Sequence, residues 1–359
     1  MNEMLPRKLR LNGRLIGKEE CSGHTFLVGH GQDGLVKEVY DFLKQWFDDY
    51  AYIEQNTSGS TGPPKTILIP KLFMVNSARM TNAFFGLHQG CTGLLCLSPQ
   101  FIAGKMMVIR AMTAGFNLIT TNVSANPIYE LTDRVDFAAM IPMQVSKILR
   151  QSPDKISLIE KLILGGSGID ATLETTLQDF VTSCWHTYGM TETISHIALR
   201  MINGPERSDW FVPFEGIRLS TDDRECLMID APMLCEGQLQ TNDLVVFDNK
   251  GRFQVIGRAD DVIITAGHKI HPALLERKIS PLISFPFVIS SQPHAESGSE
   301  IVLVIAHEYP IGDLFRLWKK LDETLNHAEL PRSIVFASHL PTLDSGKTDR
   351  KRILTELQN

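Results

Sequence analysis

Short apolar runs alternate with helix-like stretches through the middle of the chain. Runs typical of strands are Thr66–Ile69, Gly93–Leu97, Phe116–Thr120, Phe137–Met140, Lys161–Leu164 and Cys184–His186. Between them, apolar side chains recur at helical spacing over residues 71–86, 103–114, 142–151 and 171–182. Strands that alternate with helices in this way predict βαβ units and a largely parallel sheet.

The pattern differs on either side of this region. Residues 1–34 are polar and Gly-rich with little periodicity, and residues 35–46 then follow a helical spacing. After residue 214, turn residues separate short alternating stretches, which predicts a small antiparallel β region. These stretches are Gly216–Leu219, Cys226–Ile229, Gly237–Leu239, Leu244–Phe247 and Phe253–Ile256.

The last hundred residues are typical of a separate α+β unit. Its predicted strands are Asp261–Thr265, Ile301–Ala306 and Ser333–Phe336, and its predicted helices are Leu314–Leu325 and Asp349–Leu357. We therefore predict a large α/β domain over residues 1–259 and a small α+β domain over residues 260–359.

Composition narrows the class of protein. Hydrophobic residues make up 43% of the 359 residues and charged residues 21%, which is ordinary for a soluble globular protein. The net charge of −6, from 35 basic and 41 acidic residues, gives no reason to expect nucleic-acid binding. No apolar run reaches membrane-spanning length and the first residues lack the apolar segment of a signal peptide, so we expect a cytoplasmic protein. The six cysteines form no Cys-x-x-Cys pair, so we expect reduced, mostly buried thiols.

A polar loop lies between the strand-like residues 51–53 and 66–69. Glycines let its backbone approach a ligand closely, and hydroxyl and N–H groups then donate to phosphate oxygens. A surface loop rich in turn formers is the alternative. Its glycines are too close together for the P-loop of the NTPases. The candidate phosphate-binding residues are Thr57, Ser58, Gly59, Ser60, Thr61, Gly62 and Lys65.

Four further segments carry side chains suited to the same chemistry. In Tyr188–Thr193, the Thr191 hydroxyl suits a phosphate and Glu192 suits Mg²⁺, although an ordinary exposed glutamate would look the same. The glycine-rich run Gly165, Gly166, Ser167 and Gly168 follows a strand and would let a flat ring lie against the backbone; a tight turn is the alternative.

The remaining two segments lie further along the chain. Asp243 offers two acceptor oxygens to a ribose, and Arg258 offers a guanidinium donor, although both residue types are common in turns. Lys347 lies near the end of the chain, where a lysine is ordinarily a solvated charge; its ammonium could also offset negative charge on a ligand.

Together these five blocks resemble the adenylate-forming superfamily, which includes acyl-CoA and aryl-CoA synthetases. The matching segments are Asn56–Lys65, Gly165–Gly168, Tyr188–Thr193, Thr241–Lys269 and Leu340–Arg350. The resemblance implies that Tyr188 and Gly189 lie near adenine, Thr191 near the α-phosphate, and that Glu192 binds magnesium. It also implies catalytic roles for Thr191, Glu192 and Lys347 and nucleotide contacts for Gly165, Gly166, Ser167, Asp243, Arg258 and Lys269. Asp260 would be the hinge between the domains, and Gly267 would lie beside a CoA channel.

The chain departs from the superfamily pattern at three places. Asn242 stands where glycine is usual, and Phe101 and Ile102 replace a histidine, so no acyl contact is carried over from it. Little sequence precedes the phosphate loop, which predicts a reduced N-terminal subdomain and leaves room for a partner surface, such as that of a homodimer.

Residues 139–145 resemble the Val-Pro-x-Gln segment of short o-succinylbenzoate–CoA ligases. Lys105, Arg110 or His196 could neutralise a second substrate carboxylate, although each is more simply structural.

The function predicted from this resemblance is ATP-dependent ligation of a small carboxylic acid to CoA through an acyl-adenylate, with Mg²⁺. The acid would be o-succinylbenzoate, as in menaquinone biosynthesis, with another aryl or fatty acid as the alternative. An adenylation domain that loads a carrier protein would share the first step. A catalytically silent adenylate-binding protein and a phosphate-loop ATPase are disfavoured by the intact Lys65, Glu192, Asp243 and Lys347 and by the loop spacing.

Overall fold

The computed structural model describes residues 5–22, 33–56, 66–308, 314–341 and 348–357. The chain divides into two compact units. The first unit comprises Met1–Arg218 and Asp230–Leu239, and the second comprises Leu219–Ile229 and Gln240–Asn359. The domain boundary between residues 259 and 260 was predicted because Asp260 is the expected hinge. A division of the structure into compact units does not test motion about a hinge, so this boundary stays a prediction.

A nine-stranded sheet forms the centre of the first unit. The elements of this unit are, in chain order, β1 (Leu9–Leu11), β2 (Arg14–Ile16), α1 (Lys18–Ser22), α2 (Asp33–Trp46), β3 (Tyr52–Asn56), β4 (Thr66–Pro70), α3 (Lys71–Phe85), β5 (Thr92–Leu95), α4 (Ile102–Ala114), β6 (Asn117–Thr120), β7 (Val135–Met140), α5 (Pro142–Gln151), β8 (Ile159–Leu164), α6 (Ala171–Leu177), β9 (Ser183–Gly189), β10 (His196–Met201) and β11 (Val212–Pro213). The strand order is β11-β10-β9-β8-β7-β5-β6-β1-β2.

The centre of this sheet is parallel. Strands β1, β6, β5, β7, β8 and β9 pair in parallel, whereas β2, β10 and β11 add to the edges antiparallel. Helices α5 and α6 cover one face with buried side chains such as Val145, Ile148 and Leu173, which pack on Leu162 and Leu164. The predicted βαβ organisation is therefore confirmed for residues 92–189.

Two parts of the first unit differ from the sequence-based expectation. The predicted strand at 66–69 lies outside the parallel sheet, because β4 pairs antiparallel with β3 in a separate two-stranded sheet. The first 34 residues, for which no element was expected, contribute β1 and β2 to the edge of the large sheet. Each of these strands has only three residues, too few to show a period.

The second unit has three small sheets. Its elements, of which the first three overlap the boundary between the units, are β12 (Arg218–Thr221), β13 (Cys226–Asp230), β14 (Gln238–Phe247), β15 (Phe253–Arg258), β16 (Ile263–Thr265), β17 (His268–Ile270), α7 (Pro272–Ile279), β18 (Phe287–His294), β19 (Gly298–Ala306), α8 (Leu314–Thr324), β20 (Ser333–Ala337) and α9 (Arg350–Leu357). The sheets are β12-β13-β14-β15, β16-β17 and β18-β19-β20.

Alternation along β19 explains how helices cover both faces of its sheet. Ile301, Leu303 and Ile305 share a core with side chains of α7 and α8. Val302 and Val304 point the opposite way and pack with Ile353 of α9. Among the residues described for both units, no helix is long and apolar enough to cross a membrane.

Candidate active site

The carboxyl ends of β7, β8 and β9 meet at one edge of the large sheet. The Gly165 N–H donates to the Met140 carbonyl at 3.1 Å, and Thr187 Oγ1 donates to the Leu164 carbonyl at 3.1 Å. The glycine-rich run and the segment after Tyr188 therefore begin side by side. Ligands of parallel sheets bind beyond such strand ends, so the structure brings two predicted segments together where a ligand is expected.

Glycine is required at two points of this edge. A Cβ at Gly165 would lie 2.4 Å from Thr187 Oγ1, and a Cβ at Gly189 would lie 2.3 Å from the Ser195 carbonyl oxygen. Gly166 has a φ of +88°, a conformation that glycine adopts without strain. Gly165 and Gly189 therefore let the strand ends pack closely, whereas no atom of the described residues beyond its chain neighbours lies within 4 Å of a Cβ at Gly168, so the glycine-rich run is open to a ligand there.

A single turn of 3₁₀ helix, Thr191–Thr193, presents two of the three predicted catalytic side chains, Thr191 and Glu192. Thr193 is buried, and its hydroxyl bonds the backbone of Met190 at 3.0 Å and the carbonyl of Ser195 at 2.8 Å. Thr193 thus fixes the turn from inside, while Thr191 is half-buried and Glu192 exposed. Within the described part of the chain, the Glu192 carboxylate has no hydrogen-bond or ion-pair partner.

Tyr188 packs in an aromatic group at the same edge. Its ring lies 5.9 Å from that of Phe211, which lies 5.2 Å from the His186 ring. Arg200 contacts His186 and Phe211. Its Nε donates to His186 Nδ1 at 3.2 Å, and its guanidinium carbon lies 5.6 Å from the centroid of the Phe211 ring. Burial and the Arg200 charge lower the pKa of His186 to about 3, so its imidazole is neutral.

A buried guanidinium lies behind the 3₁₀ turn. Arg110 is 1% exposed, and its Nη2 donates to Ser195 Oγ at 2.7 Å, while its Nε has no partner among the described residues. Burial lowers the pKa of Arg110 to about 9. The neighbouring His196 contacts Thr81 Oγ1 at 3.2 Å, and burial followed by the charge of Arg110 lowers its pKa well below the ordinary range.

The predicted phosphate loop connects β3 to β4. These strands pair from Tyr52 with Pro70 to Asn56 with Thr66, where Thr66 Oγ1 donates to Asn56 Oδ1 at 2.8 Å. The loop therefore begins and ends at adjacent positions of one hairpin. Its seven predicted ligand residues lie outside the described residues: Thr57, Ser58, Gly59, Ser60, Thr61, Gly62 and Lys65.

The predicted ribose-binding residues form an ionic group in the second unit. Arg258 donates from Nη1 to Asp243 Oδ1 at 2.9 Å and from Nη2 to Asp260 Oδ2 at 3.2 Å. Burial lowers the pKa of Arg258, but the carboxylates of Asp243, Asp260 and Asp261 outweigh it and raise that pKa. Asn242, which replaces the usual glycine, donates to both Asp260 oxygens at 3.1 and 3.2 Å. Its side chain therefore ties the predicted hinge residue to β14.

Of the two lysines predicted to act in this unit, the structure describes Lys269 but not Lys347. Lys269 is exposed on β17, opposite Ile264. Lys347 lies outside the described residues, but the chain on either side of it is close together, since the Asp349 N–H donates to the Pro341 carbonyl at 2.9 Å.

The donor set fits a magnesium–nucleotide complex better than a metal held by protein alone. The part of the chain that the structure describes has no group of three or more His, Cys, Asp or Glu side chains able to hold a metal. Mg²⁺ commonly takes one or two protein carboxylates and completes its shell with phosphate oxygens and water. The exposed Glu192 provides one such carboxylate beside the strand ends.

Comparison with known proteins identifies the family. Residues 34–224, more than half of the chain, match the AMP-binding enzyme family. This chain belongs to the AMP-binding enzymes. It is 33% identical to an acyl-CoA synthetase (AMP-forming)/AMP-acid ligase II-like protein from Dyadobacter fermentans, with a TM-score of 0.62 and coverage of 95% of this chain and 99% of that one.

Other AMP-binding relatives carry more specific names. The 2-succinylbenzoate–CoA ligase of Lactococcus lactis is 23% identical over 330 residues, 85% of this chain and 71% of that one. A probable 2-succinylbenzoate–CoA ligase of Mycobacterium tuberculosis is 26% identical over 340 residues, 86% of this chain and 85% of that one. The o-succinylbenzoate CoA synthetase of Bacillus subtilis in complex with ATP and magnesium shares the fold: its TM-score is 0.70 at 20% identity, over 84% of this chain and 69% of that one.

Sequence reasoning missed part of the candidate site. Arg200, Glu174 and His186 were not singled out, although His186 precedes Tyr188 by two residues on a strand and so shares its face. That spacing was the available signal. Glu174 and Arg200 come from α6 and β10, and only the tertiary structure places them beside His186.

Proposed function

We propose that this protein is an ATP-dependent carboxylate–CoA ligase that acts through an acyl-adenylate, with o-succinylbenzoate as its acid. Membership of the AMP-binding family supports the reaction type, and the names of several relatives support the acid. We also propose a cytoplasmic location and leave open a homodimer, as expected from the sequence.

One observation favours an acid with two carboxylates. Arg110 is a fully buried cation, and among the described residues it contacts no carboxylate. An unpaired buried charge is costly, so such a group is usually compensated by a ligand or partner. o-Succinylbenzoate has one carboxylate to activate and a second to neutralise. Arg110 donates to Ser195, which follows Thr191 and Glu192 closely in the sequence, and is suited to the second.

The proposed first step forms the adenylate. A carboxylate oxygen of the acid attacks the α-phosphorus of ATP, and the bond to the departing pyrophosphate breaks. Thr191 donates to the α-phosphate, Lys347 holds the two reacting anions together, and the residues from Thr57 to Lys65 hold the pyrophosphate portion. When bound at Glu192, Mg²⁺ supplies positive charge to the phosphates. Positioning and charge compensation provide most of the catalysis.

The proposed second step transfers the acyl group to CoA. The sulfur attacks the acyl carbon, the thioester forms and AMP leaves. We propose that residues 260–359 turn about Asp260 between the steps, so that Lys347 leaves and a thiol path opens beside Gly267. Asp243, with Arg258 beside it, would keep the ribose in place through both steps. Such a conformational step fits two half-reactions that use one site.

The reaction is tested by following pyrophosphate release and thioester formation with o-succinylbenzoate, benzoate and fatty acids, with and without CoA. We expect acid-dependent pyrophosphate release and a CoA thioester with o-succinylbenzoate. An absence of acid-dependent pyrophosphate release would exclude the ligase. Pyrophosphate release without CoA thioester would favour transfer to a carrier protein.

The choice of a dicarboxylate is tested at Arg110. Replacing it by Met should raise the KM for o-succinylbenzoate by about 10- to 100-fold, since a charge-assisted hydrogen bond contributes about 1.5–3 kcal/mol. The KM for benzoate should hardly change. Arg110→Lys should recover part of the loss, and Arg79→Met, at an exposed arginine, is the control. Equal losses with both acids would refute the second-carboxylate role.

A further inference from the structure

The hydrogen bonds of His186 fix which of its ring nitrogens carries the proton. Its Nδ1 lies 3.2 Å from Arg200 Nε, and a guanidinium can only donate, so Nδ1 accepts and has no hydrogen. In a neutral imidazole the hydrogen then lies on Nε2, which is 3.4 Å from the Ser167 carbonyl oxygen. His186 therefore donates to the glycine-rich run.

Arg200 is itself held on several sides. It forms an ion pair with Glu174, donates to the Ser208 carbonyl at 3.4 Å and lies 4.0 Å from Asp209. Its side chain is 9% exposed. A continuous set of contacts thus runs from the Glu174 carboxylate through Arg200 and His186 to the Ser167 carbonyl. Such outer contacts typically orient the group that meets a ligand.

The glycine-rich run needs such a restraint. Gly165, Gly166 and Gly168 lack side chains that could fix them, and ordering glycine costs more backbone entropy than ordering any other residue. The Gly165 N–H bond to Met140 holds the first residue. Among the described residues, the bond from His186 is the one hydrogen bond that reaches Ser167 from outside the run.

We propose that His186 is a positioning residue that, through its Nε2–H, fixes the Ser167 carbonyl and so sets the glycine-rich run for nucleotide binding beside Tyr188. This rests on the proposed function, in which ATP binds at this edge. His186 takes no part in proton transfer. The surroundings of His186 are consistent with a neutral ring, since burial and then the charge of Arg200 oppose its protonation. The two carboxylates nearby, Glu174 and Asp209, pair with the Arg200 guanidinium.

Two variants at position 186 separate the hydrogen bond from the ring. His186→Phe keeps an aromatic ring next to Phe211 but can neither accept from Arg200 nor donate to Ser167. His186→Gln provides an acceptor and a donor on one side chain. We expect ATP to bind His186→Phe about tenfold more weakly in calorimetry, with kcat at saturating ATP changed by less than about twofold, and His186→Gln to bind nearly as wild type.

Thr182→Val is the matched control. Thr182 is buried just before the same strand, and its hydroxyl donates to the Ile156 carbonyl at 2.7 Å, away from the glycine-rich run. It should lower thermal stability but leave ATP affinity unchanged. Unchanged ATP binding in His186→Phe would overturn the proposal, as would an equal loss in Thr182→Val, which would mean that both residues act only through stability.

The tautomer gives a test on the wild-type protein, in which a variant serves only to assign the signal. Side-chain ¹⁵N NMR of the wild-type protein should show, besides the buried His196, one histidine that is neutral and protonated on Nε2 across about pH 6 to 8. Loss of that signal in His186→Gln would assign it. A cationic His186 at neutral pH, or a proton on Nδ1, would refute the proposal. Neither NMR nor ATP binding depends on the acid, so an inactive wild type would overturn the proposed function alone.

Discussion

Two glycines hold strand ends closer together than a side chain would allow. At Gly189 the obstacles to a Cβ are backbone atoms, the Ser195 carbonyl oxygen at 2.3 Å and His196 Cα at 2.6 Å. At Gly165 the obstacle is the side-chain oxygen of Thr187 at 2.4 Å. The two positions therefore differ in kind, because only the contact at Gly165 can be relieved by a second substitution.

A double-mutant cycle tests this difference. Gly165→Ala should lower the free energy of unfolding by about 1–3 kcal/mol through overpacking, and Thr187→Ala by about 1 kcal/mol through the lost bond to Leu164. The double variant should lose less than the sum, because the alanine methyl then occupies the space of the hydroxyl. Urea unfolding measures all four proteins. In contrast, Thr187→Ala should not rescue Gly189→Ala. Strictly additive losses from Gly165→Ala and Thr187→Ala would contradict the packing account.

Lys105 provides a pH-dependent prediction at the residue scale. It is 6% exposed, and burial lowers its pKa from 10.5 to about 8, although its ammonium donates to Gln55 Oε1 at 2.7 Å and to the Glu54 carbonyl at 3.2 Å. Between pH 8 and 10.5 the unfolded chain binds this proton and the folded chain does not. The contribution of Lys105 to stability must therefore rise with pH across that window.

The comparison with Lys105→Met isolates this contribution. Urea unfolding at several pH values should show the wild type gaining stability relative to the variant as the pH rises from 8 towards 10.5. Lys105→Arg should fall behind the wild type in the same way, because its guanidinium stays charged throughout. A difference between wild type and Lys105→Met that is constant with pH would show that the folded protein leaves the pKa of Lys105 where it is in the unfolded chain.

At the scale of elements, one arginine bonds the start of α9 to two other elements of its unit, in addition to the apolar contacts of Ile353. Arg350 donates to both oxygens of Glu276 at 2.7 Å and to the Ile289 carbonyl at 2.8 Å. It joins the start of α9 to α7 and β18, three residues after Lys347. A bidentate pair fixes direction as well as distance, so Arg350 defines where the segment that carries Lys347 ends.

Arg350→Lys should loosen this attachment. Lysine can make only one of the two bonds to Glu276, so we expect a loss of about 1–2 kcal/mol in the free energy of unfolding and faster hydrogen exchange in residues 350–357. Adenylate formation should slow as well. Arg352→Lys, at an exposed arginine of the same helix, is the control. Unchanged exchange in α9 would show that its apolar contacts alone hold it.

The elements that the sequence predicted well have a strong internal pattern. Helices α3, α4 and α5 begin and end within one residue of their predicted bounds, because long apolar periods end at turn residues or glycine. Strand β14 was predicted as two strands, because the polar residues Thr241–Asp243 interrupt its alternation. Strand β18 and helix α7 were missed. Motifs likewise indicated candidate ligand-binding residues, which stay predictions, but not the contacts of His186 and Arg110, which depend on residues distant in the chain.

At the scale of the molecule, the proposed reaction needs one site to serve two half-reactions. Catalytic residues are predicted on both sides of Asp260, so motion about this residue would change which of them are at the site. The tie from Asn242 to the Asp260 carboxylate lies at the proposed hinge. The family pattern predicted that hinge, whereas the tie follows from a residue in which this chain departs from the pattern.

Lys347→Ala tests the division of labour between the half-reactions. Adenylate formation from ATP and o-succinylbenzoate should fall by at least about 100-fold, because charge stabilisation at the reacting centre is lost. Thioester formation from a supplied acyl-adenylate should change by less than about threefold. Lys319→Ala, at an exposed lysine of α8, is the control. Equal losses in both half-reactions would contradict the turning of residues 260–359.

The position of β1 and β2 at one end of the large sheet has a consequence for how the chain folds during synthesis. Strand β1 can pair with β2 at once, but Arg10 also pairs with Asn117 of β6, so the two strands can join the rest of the sheet only after about a hundred further residues have been made. The ribosome takes about 5–20 s to synthesise these residues. Closing so long a loop is slow as well as late. The two strands that leave the ribosome first thus stay outside the sheet until β6 has been made, and a chaperone would meet them during that interval.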